Sequence, residues 1–190
     1  MIDESLITPY EGTNFKVEKQ NWVIDTDGNT RAVSIFSFKN KYGGYENYEP
    51  MITSYFNDCP DCNDGDEALN YNTCFNNLVY GDVLVIGLGI GTIPEYIRRN
   101  KQYATIDVVE DDQELIDYVD FLHEDINIIS TSDCETYQGS KKYDLIILEY
   151  YHHTDQFNAP GTMRHNYVPQ LKNSDSVMIC PLINKVIENA

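Results

Sequence analysis

Short apolar runs alternate with amphipathic stretches from residue 82 to residue 181 of this chain. The apolar runs predict strands at 82–86, 104–109, 126–130, 144–148 and 176–181. The stretches between them predict helices at 92–100, at 113–122 and near 160–172. A run that is apolar throughout, such as 83–86, is typical of a strand covered on both faces. Alternating strands and helices indicate an α/β fold with a parallel sheet and right-handed crossovers.

A different pattern precedes this part, because apolar and polar residues alternate over 14–38 on either side of Asp27-Gly28. An Asp-Gly pair between two β-rich runs is a strong hairpin signal. We therefore expect residues 1–66 to form an N-terminal β-hairpin and arm region. Residues 67–190 are expected to form the α/β domain.

The first α/β strand runs directly into a glycine-rich turn that contains Gly87, Gly89 and Gly91. Glycine lacks a Cβ, so the backbone can bend sharply there and approach a ligand closely. The position of the third glycine in a dinucleotide fingerprint is occupied by Thr92. This spacing favours a nucleoside such as S-adenosylmethionine over the pyrophosphate of NAD or FAD. A tight strand-to-helix turn without a ligand is the alternative.

Acidic residues follow the next three predicted strands. Glu110 stands 19 residues beyond Gly91, close to the spacing expected of a carboxylate that binds ribose hydroxyls. Asp133 and Glu149 follow the third and fourth predicted strands, so these acids should border a single crevice. The alternatives are a helix-terminal acid at Glu110 and an N-cap at Asp133.

These motifs give the stretch 82–149 a family resemblance. It resembles the Rossmann-like S-adenosylmethionine-dependent methyltransferases, and within them the spermidine-synthase branch. Residues 109–116 are similar to that branch's ribose-binding V-E-x-D-P-E-[LV]-I, with Gln113 in place of the proline. Residues 132–134 resemble its adenine-binding G-D-A, and residues 143–149 resemble its Y-D-[VL]-I-[IL]-x-D.

The resemblance implies a Rossmann-like parallel sheet of the methyltransferase type. It also implies that the cofactor is S-adenosylmethionine or its decarboxylated form. The implied cofactor-binding residues are Gly87, Gly89, Gly91, Glu110, Asp111, Asp133 and Cys134.

Two departures from the branch bear on the reaction. Its Asp that holds the donor's amine is replaced by Ile90, and its catalytic strand-end Asp corresponds to Glu149. We therefore predict a methyltransferase of the spermidine-synthase-like type, acting on a small-molecule or protein acceptor. An aminopropyltransferase of polyamine synthesis is the first alternative. A non-catalytic nucleoside-binding module is the second.

The acceptor should bind where the residues that follow the fourth strand meet the glycine turn. Glu149 could anchor a cationic acceptor or accept its proton. Tyr150 could face a cation through its ring, and His152 could act as a general base near neutral pH. Packing above the sheet is the alternative for the tyrosine, and an exposed loop position is the alternative for the histidine.

The net charge of the chain bears on which molecules it can bind. The chain has 31 acidic and 13 basic residues among 190, a formal net charge of −18. Nucleic-acid binding needs basic residues that displace counterions, so a nucleic-acid partner is disfavoured. A neutral or cationic small molecule, or a basic protein segment, suits this field better. Acidity that serves solubility alone is the alternative.

The sequence gives little support for a metal site or for a membrane or secreted location. The pair Cys59 and Cys62 has C-x-x-C spacing but is flanked by loop residues, and no histidine precedes His123, so we expect no metal. No apolar run is long enough to span a membrane, and no signal peptide is visible, so we expect a cytoplasmic protein.

The end of the predicted sheet suggests an oligomer. A complete methyltransferase fold adds an antiparallel hairpin after the fifth strand, and we expect residues 181–190 to be too few to make it. A C-terminally shortened sheet would have an edge that is covered by the N-terminal hairpin, covered by a partner subunit, or left short. Of these we expect a homodimer that covers the edge.

Overall fold

The computed structural model describes residues 6–23, 30–39, 45–47, 79–100, 103–148, 159–180 and 185–189. The chain divides into two compact units, Met1–Cys62 and Asn63–Ala190. The boundary predicted after residue 66 lies outside the described residues.

The first unit contains an antiparallel sheet in the order β1-β2-β3-β4. Its strands are β1 (Tyr10–Glu11), β2 (Phe15–Val23), β3 (Thr30–Lys39) and β4 (Tyr45–Asn47). The register of β2 on β3 runs from the pair Phe15↔Phe38 to the pair Val23↔Thr30. The predicted antiparallel hairpin is thus confirmed, while its turn at residues 24–29 lies outside the described residues.

The second unit contains, within its described residues, a six-stranded sheet in the order β10-β9-β8-β5-β6-β7. Its strands are β5 (Asp82–Ile86), β6 (Thr105–Glu110), β7 (Ile126–Ser130), β8 (Leu145–Leu148), β9 (Val177–Cys180) and β10 (Lys185–Asn189). Strands β5 to β9 pair in parallel. The predicted α/β, Rossmann-like fold class is therefore confirmed.

The strand order reverses beside β5. From β5 the chain adds β6 and β7 on one side and then crosses to β8 on the other side. Open parallel sheets bind ligands at the carboxyl ends of the strands at such a reversal. The residues that follow β5 and β6 therefore border the expected site. The side chains of Val83, Leu84, Val85 and Ile86 are fully buried, which fixes β5 in the middle of the core.

Three α-helices are described in the second unit: α1 (Thr92–Asn100), α2 (Gln113–Tyr118) and α3 (Ala159–Tyr167). Helix α2 is shorter than the predicted 113–122, because Val119 leaves the helical conformation at φ −92° and ψ 28°. Helix α3 also ends before the predicted residue 172, and a 3₁₀ helix, Val168–Gln170, follows it. Pro169 explains this end, since proline has no N–H to donate to the carbonyl four residues earlier and so cannot continue the α-helical bonding.

Within the described residues, one strand follows β9 rather than the hairpin of a complete methyltransferase fold. This strand, β10, corrects the expectation that the edge of β9 is covered by other means. It pairs antiparallel with β9, from Lys185↔Cys180 to Asn189↔Val177. An antiparallel neighbour needs a short turn rather than a helical crossover, so five residues suffice for the strand. The edge of β9 is covered by the chain itself. The homodimer stays a prediction. An uncovered β9 edge can no longer be given as the reason for it.

Candidate functional site

The turn after β5 depends on its three glycines. Gly87, Gly89 and Gly91 have φ angles of 92°, 52° and 81°, a region that residues with a Cβ rarely adopt. The N–H of Gly87 donates to the carbonyl of Val109 at 2.9 Å, and the N–H of Gly91 donates to the carbonyl of Leu88 at 2.9 Å. The turn is therefore tied to β6 and closed on itself before α1 begins at Thr92.

Gly91 also permits close packing against the turn that follows α2. A Cβ on Gly91 would lie 2.5 Å from Cδ2 of Leu122, far inside van der Waals contact. Leu122 is in turn placed by the bond from its N–H to the carbonyl of Val119, at 3.1 Å. The last glycine of the turn thus has a packing role that does not require a ligand.

Glu110, the last residue of β6, connects its strand to the glycine turn. Its side chain is buried, and Oε2 accepts a hydrogen bond from the N–H of Leu88 at 2.8 Å. Oε1 accepts from the N–H groups of Asp111 and Asp112, each at 2.9 Å. A carboxylate has about four acceptor positions, so one position on Oε2 is left by these three bonds. Glu110 thus lies against the glycine turn and can accept one more donor, and its role as the ribose acid stays a prediction.

Burial makes the charge of Glu110 costly. It raises the pKa of this carboxyl from 4.5 to about 7, and the negative charge of Asp111 adds to the rise. The N–H groups of Asp112, Leu88 and Asp111 oppose the rise because they stabilise the ionised form. A further donor at Oε2, such as a hydroxyl, would favour ionisation in the same way.

Asp111 and Cys134 meet beside Glu110. Oδ2 of Asp111 accepts from the N–H of Cys134 at 3.1 Å, so this backbone donor is already used. The fully buried thiol of Cys134 contacts the carbonyl of Val109, with Sγ 3.5 Å from the oxygen. Burial raises the pKa of the thiol, and Asp111 and Glu110 add to the rise, so the thiol stays protonated at neutral pH.

The same three side chains also have the spacing of a possible metal site. The potential ligand atoms of Glu110, Asp111 and Cys134 lie within 4.8 Å of one another. Metals bind cysteine as the thiolate, which this buried, acid-flanked position disfavours. The group therefore fits a ligand that donates hydrogen bonds better than it fits a cation that needs a thiolate.

Asp133 has local partners. Its Oδ1 accepts from the N–H of Glu135 at 2.8 Å, and its Oδ2 accepts from the hydroxyl of Thr136 at 2.7 Å. The first bond is that of an Asx turn, and residues 134–136 form a turn rather than a helix. The role of Asp133 in base recognition stays a prediction.

The structure thus brings the glycine turn, Glu110, Asp111 and Cys134 together at the carboxyl ends of β5 and β6. The predicted catalytic residues Glu149, Tyr150 and His152 lie outside the described residues. Sequence reasoning did not identify the N–H of Leu88 as the partner of Glu110. A backbone group leaves no side-chain signal, and only the G-x-G spacing indicates that the turn passes close to β6.

Comparison with known proteins gives matches to solved structures alone. No protein-family model matches the sequence, and a search of curated proteins finds no match. A complex of DhpI with SAM and HEP has a TM-score of 0.47 and 10% identity over 55% of this chain and 47% of that chain. An S-adenosylmethionine-dependent methyltransferase from Clostridium acetobutylicum has a TM-score of 0.46 and 19% identity over 62% of this chain and 50% of that chain.

A TehB-like SAM-dependent methyltransferase from Corynebacterium glutamicum has a TM-score of 0.45 and 17% identity over 58% of this chain and 60% of that chain. The chain spans about half the length of the solved structures that it matches. The chemistry of the site must therefore be derived from its own residues.

Proposed function

We propose that this protein binds S-adenosylmethionine and transfers its methyl group to a small-molecule or basic protein acceptor. The observation that supports this best is the bond between the buried carboxylate of Glu110 and the N–H of Leu88 in the glycine turn. This bond holds a carboxylate against backbone that can approach a nucleoside closely, which supports a role for Glu110 as the acceptor of one ribose hydroxyl. S-adenosylmethionine, when bound, supplies a methyl group already activated on a sulfonium.

The residues of this chain then have the tasks of binding and orienting. Gly87, Gly89 and Gly91 shape the floor for the nucleoside, and Glu110 accepts a ribose hydroxyl at the remaining position on Oε2. Base recognition falls to Asp133 and to the N–H of Cys134. That N–H donates to Asp111 in the structure, so recognition requires an exchange in which Asp111 releases it.

The acceptor side is proposed from the sequence. Glu149 would anchor a cationic acceptor or take its proton, with Tyr150 and His152 beside it. The formal net charge of −18 favours a neutral or cationic acceptor over a polyanion.

A cytoplasmic location belongs to the same proposal. Among the residues that the structure describes, no helix has the length and apolar character needed to cross a membrane.

Calorimetry with three ligands tests the proposal: S-adenosylmethionine, S-adenosylhomocysteine and decarboxylated S-adenosylmethionine. We expect binding of the first two and weaker binding of the third, because Ile90 offers no carboxylate to the donor's amine. No binding of any of the three at millimolar concentration would refute the cofactor. Tighter binding of the decarboxylated form, with spermidine made from putrescine, would establish the aminopropyltransferase instead.

The catalytic assignment is tested by Glu149→Gln. If Glu149 acts on the acceptor, the variant loses turnover while its affinity for S-adenosylhomocysteine stays within about threefold of wild type. An equal loss of affinity would make Glu149 a cofactor ligand. Binding without turnover of any methyl acceptor by wild type would favour the nucleoside-binding module.

A further inference from the structure

Polar side chains of helix α3 and of the 3₁₀ helix that follows it form hydrogen bonds with the main chain of residues 134–139. This segment follows Asp133 and has no regular helix or strand. Its carbonyl and N–H groups therefore lack the partners that a sheet or helix would provide. Side chains from outside the segment must supply those partners where it is buried.

Three side chains supply them. The hydroxyl of Tyr167 donates to the carbonyl of Cys134, and Nδ2 of Asn166 donates to the carbonyl of Glu135 at 2.7 Å. Oε1 of Gln170 accepts from the N–H of Gly139 at 3.2 Å, and its Nε2 lies 3.4 Å from the carbonyl of Tyr137. Tyr167 is fully buried and Gln170 is 3% exposed.

Cys134 is consequently held from two directions. Its carbonyl is bound by Tyr167 of α3, and its N–H is bound by Asp111, next to Glu110. Its Sγ lies 3.5 Å from the carbonyl of Val109 in β6. The conformation of this one residue thus depends both on α3 and on the proposed ribose side of the site.

We infer that Asn166, Tyr167 and Gln170 are positioning residues that hold the 134–139 segment in the conformation required for nucleoside binding. They act through the main chain and have no proposed contact with the ligand. The inference rests on the proposed function, because it assigns base recognition to the neighbouring Asp133 and Cys134. It adds that affinity depends on a helix that contributes no ligand contact.

The test compares two buried tyrosines. Tyr167→Phe removes the hydroxyl bound to Cys134, and Tyr143→Phe removes a hydroxyl bound to Oδ2 of Asp107 at 3.0 Å. Both rings are buried in the same core cluster, and both variants delete a single oxygen. Tyr143 precedes β8, at the opposite end of the sheet from the proposed site, so it serves as the matched control.

We expect Tyr167→Phe to weaken S-adenosylhomocysteine binding about fivefold, the ratio that one typical hydrogen bond represents. Tyr143→Phe should leave the affinity within about twofold of wild type. It should nevertheless lower the melting temperature about as much as Tyr167→Phe does. Asn166→Ala, which changes a half-buried side chain, should weaken binding in the same direction. Unchanged affinity in both Tyr167→Phe and Asn166→Ala, or an equal loss in Tyr143→Phe, would overturn the inference.

Amide hydrogen exchange of the ligand-free proteins separates this inference from the proposed function. Tyr167→Phe should accelerate exchange at residues 134–139 relative to wild type, whereas Tyr143→Phe should not. If wild type binds no adenosyl ligand, the proposed function and the assigned role in binding fail together. Faster exchange would then show that the three side chains hold the segment for stability alone. Unchanged exchange would show that they do not hold it.

Discussion

Glu110→Gln tests the central feature of the site, a buried carboxylate held by three backbone N–H groups. The substitution keeps the size of the side chain and removes its ionisation. The amide oxygen can still accept from Asp111 and Asp112, but the amide nitrogen cannot accept from the N–H of Leu88. The variant therefore releases the glycine turn and removes the titration of Glu110, whose pKa is raised toward neutral pH.

The size of the effect follows from the raised pKa. A rise from 4.5 to about 7 means that the folded chain binds this proton more tightly than the unfolded chain. The contribution to the free energy of unfolding is full below the unfolded pKa and is lost as the pH rises through the folded pKa. The shift corresponds to about 3 kcal/mol in total, of which about 2 kcal/mol is lost between pH 5.5 and pH 8.

Urea unfolding at pH 5.5 and pH 8 measures this loss. The free energy of unfolding of wild type, minus that of Glu110→Gln, should be about 2 kcal/mol smaller at pH 8 than at pH 5.5. Asp112 is the N-cap of α2, where its Oδ1 accepts from the N–H of Glu114 at 2.9 Å. Asp112→Asn is the control, because it removes the same formal charge two residues away and asparagine also caps helices well. Parallel pH dependences of wild type and Glu110→Gln would refute the reasoning, as would an equal effect in Asp112→Asn.

Three further predictions concern other residues of the second unit, Asn63–Ala190. Gly91→Ala should lower the free energy of unfolding by about 2 kcal/mol, from its positive φ and the contact with Leu122; urea unfolding measures it, and adding Leu122→Ala should recover part of the loss if the contact contributes. Lys141→Met should cost about 1–2 kcal/mol in the same assay, because Nζ lies 2.7 Å from Oδ2 of the buried Asp107; an unchanged midpoint would contradict it. Iodoacetamide at pH 8 should leave Cys134 unlabelled until urea unfolds the chain, as peptide mapping would show; rapid labelling of the native protein would contradict its burial.

The parts of the fold that could be predicted from sequence are those set by local pattern and burial. Strands β5 and β7 have the predicted bounds, 82–86 and 126–130. A central parallel strand is apolar on both faces, so its ends are visible where polar residues begin. The glycine turn was equally visible, because its backbone angles are accessible mainly to glycine.

The remaining features depend on contacts between distant residues. The partner of Gln170 is Gly139, 31 positions away, and no periodicity in the sequence joins them. Strand β10 forms because β9 offers it an edge, which a five-residue segment considered alone does not indicate. The end of α3 is different, because it can be read from the sequence. Pro169 marks it, since proline has no N–H to continue the helical bonding.

The two ends of the parallel sheet neutralise their acids by different means. At the amino end, Nζ of Lys172 lies 3.2 Å from Oδ2 of Asp82 and 3.0 Å from Oδ2 of Asp144. The hydroxyl of Thr105 lowers the pKa of Asp82 most, and Lys172 and Lys141 lower it further. The charge of Asp82 is therefore matched by lysines of the same chain, and the amino end gains little from an added ligand.

At the carboxyl end, the described partners of Glu110 are peptide N–H groups rather than cations. Peptide dipoles hold the ionised form less well than burial disfavours it, which is why the pKa of Glu110 rises while that of Asp82 falls. A ligand hydroxyl at Oε2 would lower the free energy of the ionised carboxylate. The sheet thus has one end where a lysine pairs with Asp82 and Asp144, and one end where the described partners of the buried Glu110 are peptide N–H groups.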